Sequence, residues 1–495
     1  MLHQRRMPIS SPLRHLWFVF ALINVSATGA LFAAELPANP APRVGADAAA
    51  FGFSPEASGL DNARALQRAV DQGGTITVAQ PGTYKIAETV FIGSNTSLVF
   101  GANVFLKKVA EKGAFTHVLL NKGALTRTYD EHITIDGLQI IVNGVDALNF
   151  LVFGLRGQLA FFYVKDLRIT HFRCRDLGAA QYCIHVCRFE DLVVDDVIIR
   201  GKKDGVHLGT GKRFTIRNGV FETGDDAIAL NAHDYDTGNP ELGWIEDGVV
   251  ENCRDLNAEK PVGFFCRLLA GAWIDWRAGM EVQKSDTVVS DGRLYRVKAD
   301  AEGKVFRSET RPTHPSGAKV LDGITWVMVQ DHATYTAGVR NVTFRDIFLE
   351  KPRTAFSIHF DVGKFSRSYY PGAQIPEQRQ LFFDNIRVLY DQKQDFLSIA
   401  TPVDVVTIAN SSLRDNAIRF KSNKAMSDYR ETRVNLVGCV FNQPGKMELL
   451  VNAAPHKVVK LKTTGSMEMS EKFSAAIAPG DGNITVDSDL TGLKK

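Results

Sequence analysis

Two short stretches of the sequence place carboxylates beside glycines, one repeat apart. Asp204 precedes Gly205, and 21 positions further on the pair Asp225-Asp226 follows Gly224. If the chain coils with about this period, the two stretches lie on neighbouring strands, roughly 4.8 Å apart. Three carboxyl groups this close raise the pKa of at least one of them. A protonated carboxyl beside an ionised one is the arrangement that hydrolysis of a glycosidic bond requires.

Four further side chains are candidates for contact with a substrate near these carboxylates, and each has a structural alternative. His207 follows Asp204 by three residues and is otherwise a structural surface histidine. His233 leaves the strand after the Asp pair and is otherwise a loop residue. His359 closes a later strand, where a core or ladder position is the alternative. Arg267 could anchor a carboxylate, a sulfate or ring hydroxyls through paired hydrogen bonds, or form a salt bridge.

The elements that must position these residues are short alternating strands that recur along the chain. Successive copies are about 20–30 residues apart where no insertion intervenes, and each usually ends in Asn, Asp or Gly. This pattern is typical of a solenoid whose coils bury their faces only against their neighbours. Without hairpin dipeptides between the strands, it favours a parallel β-helix over a sandwich. The copies are Ile133–Leu138, Leu167–Thr170, Leu192–Asp195, Phe214–Gly219, Gly248–Cys253, Val339–Phe344, Phe383–Ile386, Val405–Asn410 and Val434–Cys439.

An amphipathic helix is predicted ahead of the repeats, over Asp61–Val70. Its apolar face carries Leu66 and Ala69, an Asp or Asn caps its start, and Gly73-Gly74 stops it. Such a helix would cover the open end of the stack and protect exposed strand edges. The fold prediction is therefore an all-β parallel β-helix with an N-terminal capping helix.

The repeat is interrupted between Cys253 and Val339, where a small β module is predicted. Three of the five tryptophans (Trp273, Trp276 and Trp326) lie in or beside it. Their rings could stack on sugars or form the core of the module itself. The predicted divisions are a signal peptide over 1–34, β-helix over 35–271, the inserted module over 272–330, β-helix over 331–480 and a C-terminal tail over 481–495.

The start of the chain has the features of a secretory signal. Arg5, Arg6 and Arg14 precede an apolar run over Leu16–Ala34, so we expect a secreted or periplasmic protein, with a retained anchor as the alternative. No other stretch is long enough to span a bilayer, so no stable membrane insertion is expected after signal removal. The three arginines account for the formal net charge of +3, and the mature chain would be neutral. Nucleic acid is therefore not an expected partner.

The six cysteines have two interpretations in an exported chain. Buried free thiols are the first, and one or two disulfides are the second. No His/Cys constellation has the spacing of a zinc site, and no metal is predicted. The cysteines are Cys174, Cys183, Cys187, Cys253, Cys266 and Cys439.

The two aspartate stretches resemble the motifs of glycoside hydrolase family 28, the polygalacturonase family, within a β-helix pattern over residues 43–255 and 331–450. The stretch from Gly59 to Tyr84 is similar to the opening of pectinase-like β-helices. The resemblance implies a right-handed, single-stranded parallel β-helix and inverting hydrolysis. By that likeness Asp225 is the general acid, while Asp204 and Asp226 hold and deprotonate the attacking water.

Three features depart from that family's pattern. The family's Asn before its first Asp is Lys202 here, and the Gly-His-Gly and Arg-x-Lys motifs are absent, with Gly263–Leu268 in their place. These departures concern the grip on a galacturonate more than the aspartates. The expected substrate is therefore a poly- or oligosaccharide of pectic, other plant or algal type.

Three function classes remain open from the sequence. The first is a glycosidase that requires no cofactor. The second is a polysaccharide lyase on the same fold, which would use Ca²⁺ to neutralise a uronate and Arg267 or Lys203 as the base. The third is a non-catalytic carbohydrate-binding β-helix with structural aspartates. The loop Tyr369–Gly372 is a further candidate, as a stacking platform for sugar.

Overall fold

The computed structural model describes residues 45–495, except 236, 257–261, 299–302, 362–366, 423–429, 443–444, 470–472, 480–482 and 494–495. The predicted signal over 1–34 therefore lies outside the described residues. Within the described part of the chain, no helix has the length and apolar character needed to cross a membrane.

Strands dominate the described residues, with one α-helix, α1, over Gly59–Val70 and two 3-10 helices over Ala48–Phe51 and Lys122–Leu125. The strands before the inserted module are β1 Ala46–Asp47, β2 Gly74–Val78, β3 Gly82–Ile86, β4 Val90–Ile92, β5 Thr96–Phe100, β6 Val104–Lys108, β7 Leu119–Asn121, β8 Asp130–Asp136, β9 Gln139–Ile141, β10 Gly157–Leu177, β11 Tyr182–Gly201, β12 Val206–Leu208, β13 Gly211–Thr223, β14 Ile228–Asn231, β15 Ile245–Asp255 and β16 Cys266–Leu269. Those that follow are β17 Gly271–Ala272, β18 Ile274–Asp275, β19 Met280–Val282, β20 Thr287–Ser290, β21 Arg293–Lys298, β22 Phe306–Ser308, β23 Ala318–Leu321, β24 Ile324–Gln330, β25 Thr336–Ala337, β26 Val339–Leu349, β27 Phe356–His359, β28 Arg379–Val388, β29 Gln394–Ile399, β30 Val405–Ala409, β31 Ser412–Leu413, β32 Asn416–Phe420, β33 Thr432–Val437, β34 Val440–Phe441, β35 Lys446–Asn452, β36 Val458–Thr464, β37 Met467–Glu468, β38 Ser474–Pro479 and β39 Asn483–Asp487.

The main strands stack in parallel as three faces of one coil, which confirms the predicted parallel β-helix. Face 1 runs from β1 and β2 through the middle of β10, β11, β13 and β15 to β39. Face 2 runs from β3 and β6 through the later parts of the same long strands to β37. Face 3 contains β4, β7, β12, β14, β16 and β27 and ends at β38.

Side chains at equivalent positions of successive coils line up inside the stack. Val194, Ile216, Val250 and Phe344 are paired in register along face 1, and all are buried. Because an interior position recurs on every coil, each apolar side chain packs on its copy above and below. The repeated pattern in the sequence thus becomes one continuous core.

The polar residue predicted at the bend after each strand adopts a left-handed backbone between faces 1 and 2. Asn and Asp tolerate this conformation better than other non-glycine residues. The bend also forms hydrogen bonds between coils, for example from Asn252 Nδ2 to Asn218 Oδ1 at 2.7 Å. Residues with φ between 48° and 55° at this bend include Asp196, Asn218, Asn252, Asp346 and Asn385.

Helix α1 packs against the first strands of the stack, with Leu66 and Ala69 buried as expected. It begins earlier than predicted, at Gly59. Its cap is Ser58 rather than an Asp or Asn, because the Ser58 Oγ accepts a hydrogen bond from the backbone N–H of Asp61 at 3.1 Å. The Asp61 carboxylate completes the cap by accepting a bond from the same hydroxyl.

The region between the interrupted repeats contains a separate five-stranded sheet, ordered β18, β20, β21, β24 and β23. Trp326 and Trp273 are buried there, and the Trp276 Nε1 donates to Ser308 Oγ at 2.8 Å. These positions favour the core interpretation of the tryptophans over sugar stacking. At the other end of the chain, β39 pairs with β36, so the stack continues into the segment assigned to a tail. All six cysteines are buried free thiols.

Candidate active site

The two aspartate stretches occupy the same corner of two successive coils. Residues 202–205 connect face 2 to face 3 between β11 and β12, and residues 224–227 make the same connection between β13 and β14. Because these corners stack, one oxygen from each of Asp204, Asp225 and Asp226 lies within 4.8 Å of the other two. We call these three residues the aspartate trio. The predicted clustering of the three side chains is confirmed.

Glycines allow the corners to stack this closely. A Cβ on Gly224 would lie 2.8 Å from the Lys202 carbonyl oxygen, and one on Gly205 would lie 2.6 Å from that of Ala227. Gly224 thus allows the close approach of two coils. Residues 224–227 lie outside the strands, which leaves both aspartate side chains free to converge.

A third glycine, missed from the sequence, lies directly beside the trio. Gly263 has φ +73°, and a Cβ there would lie 2.6 Å from carboxylate oxygens of both Asp225 and Asp226. The next residue, Phe264, donates its backbone N–H to Asp226 Oδ1 at 2.9 Å. Any side chain at Gly263 would therefore displace the two carboxylates.

Two cations neutralise the trio from opposite sides. The Lys203 ammonium contacts Asp225 Oδ2 directly and lies 3.7 Å from Asp204 Oδ1. The Arg267 Nε lies 2.8 Å from Asp226 Oδ2. Arg267 thus forms the salt bridge that was its structural alternative, while remaining partly exposed. Asp204 and Asp226 are fully buried, whereas the side chain of Asp225 is 24% exposed.

These surroundings separate the proton affinities of the three carboxyl groups. Burial, and then the charge of Asp225, raises the pKa of Asp204 to about 6. Burial raises the pKa of Asp226 to about 7 against the opposing effect of Arg267. Burial also acts on Asp225, but Lys203 outweighs it and holds the pKa of that carboxyl below its ordinary value. The carboxyl of Asp225 therefore ionises at lower pH than those of Asp204 and Asp226, whose neutral forms are favoured by burial.

His207 is not at the surface, in contrast to both interpretations of it from the sequence. It is fully buried, and its Nδ1 lies 2.9 Å from Asp204 Oδ2. Its ring stacks on that of Tyr182 at 4.0 Å, and its Nε2 lies 3.6 Å from Asp234 Oδ2. Burial and the charge of Arg267 lower the pKa of His207 well below its ordinary value. It is placed to orient Asp204 rather than to contact a substrate.

His233 and His359 lie apart from the trio's direct contacts. His233 is buried beside Trp273, and neither of its ring nitrogens has a hydrogen-bond partner among the described residues. His359 is partly exposed, with its Nδ1 2.9 Å from Ser357 Oγ and its Nε2 3.4 Å from Asp361. Neither histidine is therefore a direct partner of the three carboxylates in the described structure.

Asp234 is the main residue at this site that sequence reasoning missed. It is buried in the loop after β14, where Asn231 Nδ2 donates to its Oδ2 at 2.8 Å. Burial raises its pKa to about 6, against the opposing charge of Arg267. The only signal for it was its position in the polar run that follows the strand after the aspartate pair.

The tyrosines of the predicted stacking loop are also buried. Tyr370 donates its hydroxyl to the Glu281 carbonyl at 2.7 Å, which ties the loop to the inserted region. Tyr369 packs its ring against Phe360. The loop is therefore not an open platform for a sugar.

The trio also has the geometry of a small cation site. Carboxylate oxygens are the ligands that Ca²⁺ and Mg²⁺ prefer. The ammonium of Lys203 and the guanidinium of Arg267 already lie against these oxygens, however, and would have to move for an ion to bind. The three carboxylates are therefore better matched to the two side-chain cations that already contact them than to a metal ion.

Comparisons with known proteins bear on the fold. No protein-family model matches the sequence, and no curated protein sequence does either. Among solved structures, the catalytic unit of a GH87 α-1,3-glucanase from Streptomyces thermodiastaticus matches 93% of this chain and 70% of its own, with 13% identity and a TM-score of 0.51. The chain has the same kind of β-helical fold as that enzyme unit.

Two other matches come from proteins of different function. A hyperthermoactive exopolygalacturonase from Thermotoga maritima matches 84% of this chain and 93% of its own at 12% identity, with a TM-score of 0.46. The surface adhesin PfbA of Streptococcus pneumoniae matches 90% of this chain and 99% of its own at 12% identity, with a TM-score of 0.45. At 12% identity and TM-scores below 0.5, these two matches carry no information about the function of this chain.

Proposed function

We propose that this protein is an exported glycoside hydrolase that cleaves a poly- or oligosaccharide, with the aspartate trio as its catalytic centre. The observation that carries the proposal is the convergence of three carboxyl groups whose pKa values are driven apart by Lys203, Arg267 and burial. Pairs of carboxyls with separated proton affinities are what acid–base cleavage of a glycosidic bond uses.

Asp225 is the trio's contact with the substrate, because the other two carboxyls are fully buried. One oxygen of Asp225 lies within 4.8 Å of an oxygen of Asp204 and of Asp226, whose carboxyls hold protons to higher pH, so a proton of the trio can redistribute among them. When a sugar displaces the Lys203 ammonium, the pKa of Asp225 rises and a proton of the trio moves to it. This gives Asp225 the role of general acid that the family 28 resemblance implies.

In the bond-breaking step the leaving glycosidic oxygen takes the proton from Asp225. A water oxygen attacks the anomeric carbon from the face opposite the leaving oxygen. Its proton passes to whichever of Asp204 and Asp226 has given its proton to Asp225, and displacement of Lys203 opens the path of water to these buried carboxyls. This is inversion. Because the trio's oxygens lie within 4.8 Å, less than the roughly 6.5–9.5 Å between the carboxyls of a simple inverting pair, the water is placed beside the trio rather than between its members.

The test is a screen of the chain without residues 1–34 on pectic, rhamnogalacturonan and other plant and algal glycans. Reducing ends and ultraviolet absorbance are read together. Asp225→Asn should lower the release of reducing ends by roughly 10²–10⁴-fold, as expected for loss of a general acid. The matched control is Asp247→Asn, an exposed aspartate bonded to Asn341 on a left-handed bend, which should leave activity unchanged.

Three outcomes would contradict the proposal in different ways. Activity that survives Asp225→Asn would remove the trio from catalysis. Products that absorb in the ultraviolet would indicate a lyase. Retention of the anomeric configuration, seen by NMR of the first product, would contradict inversion.

A non-catalytic carbohydrate-binding role is the second candidate, and one observation favours it. Asp204 and Asp226 are fully buried, and Lys203 and Arg267 already neutralise the trio. A structural polar network would look similar. Binding of a glycan without turnover in the same screen would indicate this role.

A further inference from the structure

A cleft lies away from the trio, at the corner where face 3 passes into face 1. It encloses about 270 Å³, and its walls include the partly exposed rings of two aromatic residues, the buried Phe189 and several charged groups. Thr210 lies at this cleft and Asp204 at the trio, at opposite ends of β12. Six residues of fully extended chain span at most roughly 20 Å, and no member of the trio lines the cleft, so the two places are distinct. The groups that matter for binding are Tyr129, Arg188, Glu190, Lys212, Trp244 and Glu246.

The two rings are partly exposed and rigidly held. Trp244 packs over Gly338, where a Cβ would lie 2.9 Å from the indole, and the Arg340 guanidinium lies 4.8 Å from the ring centre. Tyr129 is held edge-to-face by Tyr163 at 5.1 Å, and the Lys165 ammonium lies 4.5 Å from the centre of its ring. Fixed aromatic rings lose little entropy when a ligand packs against their exposed part, and sugar rings are suitable ligands.

The charged groups of the cleft balance one another. Arg188 is 34% exposed, and its Nε lies 3.8 Å from the buried Glu241 without a hydrogen bond among the described residues. Lys212 lies 3.6 Å from Glu190, and Arg340 pairs with Glu246. The cleft therefore offers carboxylate acceptors and cationic donors side by side. That combination suits hydroxyl groups, which both donate and accept.

We infer that this cleft, lined by Trp244, Tyr129, Arg188 and Lys212, binds a neutral saccharide and holds the polysaccharide on the protein away from the trio. Because Glu190 and Glu246 offset Arg188 and Lys212, the lining has no excess of positive charge that would select a uronate over a neutral sugar. The inference rests on the proposed function, because it takes carbohydrate as the ligand class.

The experiment measures binding without turnover, by calorimetry on the Asp225→Asn protein. The probes are neutral gluco-, galacto- and xylo-hexasaccharides, with an oligogalacturonide of equal length as the acidic probe. We expect a neutral probe to bind. Adding Trp244→Ala should weaken it at least about tenfold, a loss of about 1.4 kcal/mol. Lys212→Glu, at a side chain that is 43% exposed, should also weaken it.

Two further variants separate binding from folding. Trp244→Phe keeps an aromatic face and should retain most of the affinity. Tyr335→Ala removes an exposed aromatic ring outside the cleft and should change nothing. Unchanged affinity in Trp244→Ala, preference for the oligogalacturonide, or no binding of any neutral probe would each overturn the inference.

The outcome is independent of the catalytic proposal. Trp244-dependent binding by a protein that cleaves no glycan would support the cleft and contradict the hydrolase. Cleavage of a glycan by a protein whose binding ignores Trp244 would do the reverse.

Discussion

Replacing Lys203 by Met tests whether this lysine neutralises the aspartate trio. The ammonium contacts Asp225 and lies 3.7 Å from Asp204, and only 20% of the lysine side chain is exposed. Met keeps most of the aliphatic stem and removes the charge. Without Lys203, the Asp225 carboxylate would lie beside ionised Asp204. Arg267 would be the remaining cation that lowers the pKa of Asp225.

The expected cost is large and depends on pH. Two carboxylates 4.8 Å apart repel by about 3.5 kcal/mol at an effective dielectric constant of about 20. Breaking a buried ion pair by removing one partner costs roughly 3–5 kcal/mol. Because the pair is slightly exposed, we expect the variant to lose about 3 kcal/mol of unfolding free energy at pH 8. At pH 5 protonation of Asp204 and Asp226 relieves the repulsion, so the loss should be about 1 kcal/mol.

The directions of the pKa shifts decide how the free energy of unfolding changes with pH. The folded-state pKa values of Asp204 and Asp226 are raised to about 6 and about 7, so the folded protein holds protons that the unfolded chain has released. Their contribution to stability is therefore present at low pH and is lost as the pH rises through 6 and 7. The lowered pKa of Asp225 acts in the opposite direction, and Lys203→Met removes that opposing contribution.

The assay is urea unfolding followed by tryptophan fluorescence at pH 5 and pH 8. The control is Lys122→Met, which breaks an exposed pair with Asp71 and should cost less than about 1 kcal/mol at both pH values. An equal loss at both pH values for Lys203→Met, or no loss at pH 8, would refute the electrostatic account of the trio.

Two further predictions concern the support of the site and the thiols. Arg353 is buried against Asp255 and donates to the Asp225 carbonyl at 2.8 Å, so Arg353→Met should cost roughly 3–5 kcal/mol in a urea titration, against under about 1 kcal/mol for the more exposed Arg345→Met. A small loss in Arg353→Met would mean that the backbone under the trio is held by other contacts. All six cysteines are buried and unpaired, so a thiol reagent should label none in the native protein and six after unfolding without reductant. Fewer than six would reveal a disulfide.

The fold could be predicted from the sequence because the same pattern of apolar and polar residues recurs on successive coils. A buried position such as Val194 recurs on coil after coil, and the polar residue at each bend, such as Asn218, marks the same left-handed corner. The helix cap was assigned wrongly because Ser58 and Asp61 both have capping side chains, and local sequence does not show which one turns toward the free N–H groups.

For the candidate site, the sequence could predict which residues come together but not what surrounds them. Asp204, Asp225 and Asp226 were found because their spacing matches one coil. The burial of His207 was not predictable, because the loop that covers it carries Asp234, more than 20 positions later in the chain. The buried environment of that histidine depends on where the loop folds back, and no strand periodicity encodes this.

Whether the trio is catalytic or structural can be decided by comparing stability with activity. A structural network gains from satisfied hydrogen bonds, yet Asp204 Oδ1 has none among the described residues, and the fold favours the neutral form of this carboxyl. Asp204→Asn supplies a neutral side chain of the same shape and can still accept from His207. We therefore expect it to stabilise the protein at pH 8 by about 1–3 kcal/mol in urea unfolding, since each unit of pKa shift corresponds to about 1.4 kcal/mol. In the proposed hydrolase the same change removes a proton acceptor and lowers activity. Destabilisation by Asp204→Asn with activity retained would instead show that the trio is part of the scaffold.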